Sequence, residues 1–194
     1  MPVDFTPVTE GNIKMQDFAK QFKRADLRRA SDESLDAIRN FVAGLNDEQV
    51  TFLPSDPDAH DPYAVEGEEH IGWSLAHLVA HVTASSEEGA AFSSLLARGV
   101  PAAERPRYET PWREITSVDQ CLQRIEESRR IRNAYLETWP DVPLLETNRE
   151  MSERFRERFG DMNAVAAFLF GLMHEAGHYD QFREVRSQAL TANR

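Results

Sequence analysis

The chain has 194 residues, 41% of them hydrophobic and 28% charged, enough for one domain with a real core. Its formal charge of -11 repels phosphate backbones and anionic lipid, which argues against nucleic-acid and membrane partners. The lone cysteine, Cys121, excludes an internal disulfide and suits a reducing cytoplasm, the expected location.

In chain order, the opening MPVDFTPVTE lacks the basic flank and apolar run of a signal peptide. Residues 1–30 read as an N-terminal helical extension, with IKMQDFAKQFKRADLRRA a preceding helix or the early part of the next one. SDESLDAIRNFVAGLNDEQV predicts a helix capped by Ser31, with acids in its first turn and an apolar stripe of Leu35, Ile38, Phe41, Val42 and Leu45. Proline, glycine and acids in LPSDPDAHDPYAVEGEEHIG predict a loop. A second long helix follows, from Ile71 or Trp73 to Arg98, then the Pro-rich connection GVPAAERPRYETPW. SVDQCLQRIEESRRIRNAYLETW predicts the third helix, with Val118, Leu122, Ile125, Ile131 and Leu136 as buried candidates. The last runs from about Asp161 to Ala189, after a short helical piece around REMSERFRERF. Its apolar stretch, Ala164 to Met173, is too short to span a bilayer. No segment alternates as a strand would. The expected fold is all-α, an up-down four-helix bundle with long loops, forming one domain over residues 1–194 with its core in roughly 31–190.

Four of the six histidines fall in two pairs, His77 and His81 in WSLAHLVAHV and His174 and His178 in HEAGHYDQ. Histidines at i and i+4 present two imidazoles on one helix face, the spacing that lets a helix grip an ion. In the second helix Ile71, Leu75, Leu78, Val82, Phe92 and Leu96 define an apolar arc. His81 lies roughly 60° from its centre and His77 roughly 100°. His81 is therefore the better ligand candidate, and His77 reads as a polar residue on the flank. In the last helix His174, His178, Gln181 and Val185 share a strip. Together His81, His174 and His178 predict a site for a divalent metal, zinc or nickel, with positions left for water or substrate. Gln181 is placed to hydrogen-bond a ligand or bound water. Glu175, about 100° round from His174, is placed as a flanking carboxylate. His60 and His70 read as surface residues of the acidic loop, near the mouth of a pocket. No catalytic acid, base or nucleophile is identified, and Cys121 reads as core packing.

HEAGH also matches the zinc-peptidase pattern, in which the glutamate is the general base. The longer metzincin form wants glycine at 181 and histidine at 184, and this chain has Gln181 and Glu184. No sheet is apparent to hold an extended peptide, so the peptidase ranks below the bundle readings.

In order and spacing, GLNDEQVTFLP, GWSLAHLVAHV and HEAGHYDQFREV resemble the DinB-like superfamily over roughly residues 31–190. That superfamily includes YfiT-like metal hydrolases and mycothiol-dependent maleylpyruvate isomerases. The resemblance implies a four-helix bundle with His81, His174 and His178 as metal ligands, and homodimers are plausible for it. It also implies hydrolase or low-molecular-weight-thiol-dependent transferase chemistry on a small molecule, with a thiol as a second cofactor. The isomerase branch often has glutamate where this chain has His174, so that activity does not carry over. The sulfoxide-synthase helper domains show His-x3-His-x-Glu, where this chain has Asp180. The rival expectation is a noncatalytic metal- or ligand-binding bundle.

Overall fold

Helices form almost wherever the sequence has a 3.6-residue apolar period. The computed structural model describes residues 1–57, 59–60, 66–101, 105 and 107–192. Its helices are α1 (Thr6–Thr9), α2 (Met15–Phe18), α3 (Arg24–Val42), α4 (Asp47–Thr51), α5 (Leu75–Ala97), α6 (Val118–Glu137), α7 (Glu153–Phe159), α8 (Ala164–Gly177) and α9 (Tyr179–Ala192). Single 3-10 turns sit at Ala19–Gln21 and Trp112–Glu114. No β-strand occurs among the described residues, only an isolated bridge between Arg149 and Met162. No helix among them is long and apolar enough to cross a membrane.

Four long helices make the bundle. α5 packs against α6 and α8, and α3 packs against the same two, so α3 lies diagonally across from α5. The long connections after α3 and after α6 therefore cross the bundle rather than joining neighbours. Phe5, Val8, Met15 and Phe18, from the N-terminal segment, are buried in the same apolar cluster as α8.

Three expectations change. Ser31 is not a cap: α3 starts at Arg24, where the Lys23 N–H donates to Asp26 Oδ2 at 2.9 Å, and Ser31 is buried in mid-helix. Leucine, alanine and arginine before Ser31 are good helix formers, so the helix runs through it and takes in part of the expected extension. On α6, Val118, Leu122 and Ile131 are only partly buried, while Cys121, Arg124, Ile125, Ser128, Arg132 and Leu136 face inward. Finally, the expected last helix is two helices. At His178 (φ -93°, ψ -1°) the chain tightens, and the His178 N–H donates to Glu175 O at 3.1 Å. Gly177 stands just before the break, and glycine holds a helical turn least well after proline. Asn163, not Asp161, starts α8, its Oδ1 accepting from the Val165 and Ala166 N–H groups.

The core is divided across its middle. One apolar cluster includes Leu27, Phe92, Leu136, Phe168 and Leu172, the other Leu35, Ile38, Leu78, Ile125 and Phe182. Between them each bundle helix contributes polar side chains at one level: Ser34 from α3, Ser86 from α5, Ser128 and Arg132 from α6, and Glu175 from α8. Near this level α5 and α8 cross with glycine against glycine. A Cβ on Gly89 would lie 2.8 Å from Ala167 O, and one on Gly171 would lie 3.0 Å from Ser86 Cα. Nothing larger fits there without displacing backbone. The close crossing draws the two helices together, and farther along the same helix pair, beyond Ser86 and Gly171, His81 and His174 face each other.

Candidate metal centre

α5 begins at Ser74, whose Oγ accepts the His77 N–H at 3.1 Å. On this helix, packed against α8, His81 faces His174. Across the interface His174 projects from the last turn of α8, and the break behind it carries His178 to the same point. The three imidazoles offer one nitrogen each, all within 4.8 Å of one another. His81 Nε2 and His174 Nε2 are 3.0 Å apart.

The far sides of two rings are held. His178 Nδ1–H donates to Gln181 Oε1 at 2.8 Å, which leaves Nε2 as its lone-pair atom. Glu109 Oε2 lies 3.5 Å from His81 Nδ1 and binds Arg107 by a short ion pair. Arg107 Nη2 is itself 3.3 Å from His81 Nδ1. A carboxylate behind an imidazole favours the proton on that side and a free nitrogen toward the centre. Burial alone would raise the Glu109 carboxyl, but hydrogen bonds from His81 and Arg107 outweigh it and hold it at about 2.

Two of the rings, His174 and His178, are biased toward the neutral form. Burial, then the neighbouring His178 and His81, push the His174 imidazole down to about 4, although one edge of it is exposed. Burial also lowers His178, against the opposing hydrogen bond from Gln181. Three imidazoles with converging nitrogens form a donor set that fits a borderline divalent ion such as zinc or nickel.

Trp73 closes one side, its ring centroid 4.6 Å from His81 and 5.9 Å from His178. His77 is not on an open flank: it is stacked between Trp73 and Trp112, at 4.5 and 4.8 Å, and is buried outside the triad. His60 and His70 are exposed and stack on each other at 5.5 Å. His60 lines a cavity of about 230 Å³ together with Trp73, His178 and Gln181. On the other side His174 lines a cavity of about 320 Å³.

Glu175 is where the sequence expectation departs most from the geometry. Its carboxylate faces the buried polar layer, not the imidazoles. Ser34 Oγ donates to it, Ser86 Oγ donates at 2.7 Å, and Arg132 Nη2 at 2.7 Å, with Glu175 and Arg132 both fully buried. A glutamate so enclosed cannot reach a peptide bond as a general base, which removes the main support for the peptidase reading. Cys121 is buried, and burial together with Asp47 pushes its thiol up to about 12, so it is no nucleophile.

Arg107 and Glu109 were missed in the sequence because they lie in a Pro-rich connection, where no period marks which residues point inward. The density of charge in RPRYE, soon after the helix that carries His81, was the available signal.

A family model described as the DinB superfamily matches residues 30–182, a span that contains His81, His174 and His178. No curated protein and no solved structure matches the chain. That match covers most of the sequence and agrees with the helical bundle, and the chain belongs to the DinB superfamily.

Proposed function

We propose that this protein is a metal-dependent enzyme acting on a small molecule, a hydrolase or a low-molecular-weight-thiol-dependent transferase. His81, His174 and His178 hold the ion. The observation that carries the reading is the convergence of three imidazoles, two of them backed on their far sides, His178 by Gln181 and His81 by Glu109 and Arg107. A structural zinc site would use a fourth protein ligand; three leave an opening toward two cavities. When bound, a divalent ion, zinc or nickel, would supply Lewis acidity, lowering the pKa of a water or a thiol that it binds. The protein's own part is to fix the imidazole tautomers through Gln181 and Glu109, to shield one side with Trp73, and to admit substrate beside His174. A cytoplasmic location and a homodimer accompany this reading, without nucleic-acid or membrane partners.

The test is elemental analysis of purified protein followed by a panel of hydrolase and thiol-transfer assays. One ion per chain, lost in the His81/His174/His178→Ala triple variant, together with activity that depends on it, is the expected result. Full metal stoichiometry in the triple variant would overturn the site. Metal without activity toward any thiol or ester would favour the noncatalytic binding bundle.

A further inference from the structure

The cavity beside His174 is charged unlike the rest of the molecule. In a chain of net charge -11, Arg105, Arg107 and Arg149 line it, with Glu88 the single carboxylate among the described residues. Two of the three guanidinium groups are engaged. Arg105 binds Glu88 through both oxygens, at 2.6 and 2.8 Å, and Arg107 is paired with Glu109. Arg149 differs. Among the described residues its guanidinium makes no ion pair and no hydrogen bond, and it rests on the face of Phe92 with its central carbon 3.7 Å from the ring centroid.

This placement is built. The Arg149 N–H donates to Met162 O at 2.9 Å, the isolated bridge that ties the long connection after α6 to the start of α8. The backbone is thereby fixed, and the aromatic face holds the planar head by cation–π attraction. A guanidinium has five donors and no acceptor, and its fork matches a carboxylate. Phe92, Met151, Met162 and Phe170 make the other walls apolar. At about 320 Å³ the space is of the size that takes a small ligand.

We infer that this cavity is a subsite for an organic anion, a carboxylate carried on an apolar body, with Arg149 as its charged contact and His174 lining the same space. Binding of the anion stands on the cavity alone. It rests on the proposed function only in naming the substrate class of the metal site. Arg149 selects the anion against a field that elsewhere repels it, and the apolar walls select its body.

The probe is phenylacetate, compared with the neutral phenylacetamide, titrated calorimetrically into chelator-stripped and zinc-loaded protein. Stripped wild type should bind phenylacetate about tenfold more tightly than the amide, the size expected for charge-assisted hydrogen bonds. Arg149→Gln should erase that preference while leaving amide affinity and metal stoichiometry unchanged, and Arg149→Lys should keep part of it. Equal affinities in the wild type overturn the inference, as does a preference that survives Arg149→Gln. A preference present only in zinc-loaded protein also overturns it, because the ion would then be the carboxylate site. Protein that takes up no metal yet prefers the anion defeats the metal reading and leaves the subsite standing.

Discussion

His174 and Glu175 are neighbours in the chain, yet they serve two polar clusters of opposite kind. Glu175 lies sealed among Ser34, Ser86 and Arg132, every partner supplied by the protein, with Tyr179 hydrogen-bonded to Ser34 at 2.7 Å behind it. His174 lies at a cavity with its nitrogen turned toward two other imidazoles. The buried cluster is nearly complete in itself, although Arg132 Nη1 has no partner among the described residues. The histidine cluster is not complete: converging lone pairs are satisfied by a cation or by a proton, and the surroundings of His174 disfavour the proton. One helical step of about 100° separates a structural group from a chemical one.

The largest expected effect falls on the histidine side. His174→Ala should bring bound metal to background by elemental analysis, while the urea midpoint of the metal-free protein moves little. A large loss of stability with metal retained would reverse the contrast between the clusters. Glu175→Ala should do the opposite and lower stability by about 3–5 kcal/mol, because it strands the Arg132 charge in the interior. Denaturant melts of metal-free protein would measure this. Replacing both charges, as Arg132→Met with Glu175→Leu, should cost less than that single change.

Glu109→Gln probes the link between ring and carboxylate. Metal affinity should fall about 10–100-fold, as for other groups that orient a ligand from behind, by competition with a chromophoric chelator. The same carboxyl gives a pH signature. Its folded pKa, about 2, is below the ordinary glutamate value of about 4.5, so its contribution to stability is fully present above 4.5 and lost as pH falls toward 2. Acid titration of Glu109→Gln should lack that component. Gly89→Ala, which forces α5 and α8 apart, should lower stability by about 1–3 kcal/mol. It should also weaken metal binding, since His81 and His174 face each other farther along the same helix pair.

These contrasts mark what the sequence discloses. The histidine pairs were legible because their helices have a strong apolar period, against which His81 could be placed at the inner border. The same geometry put Glu175 about 100° from His174 but could not say that α3 and α6 would enclose it. Arg132 was illegible for a related reason: arginine on a charged helix is usually exposed, and only a buried partner from another helix reverses that expectation. The break at His178 was hidden because one glycine inside a periodic pattern is often tolerated. Glu109 and Arg149 lie in connections, where position depends on tertiary contacts alone.

The packing of Trp73 has a consequence for measurement. Its indole lies against His81 and His178, inside the range over which a bound ion perturbs an aromatic excited state. A paramagnetic ion such as nickel(II) or copper(II) seated among the imidazoles should quench its emission, whereas zinc, with a filled d shell, should leave it nearly unchanged. Trp73→Phe would reduce that response to what Trp112, one ring farther out beyond His77, and Trp139, buried in the other apolar cluster, contribute. The side chain that screens the site is thus also its optical probe, and it reports which metal has entered without any added label.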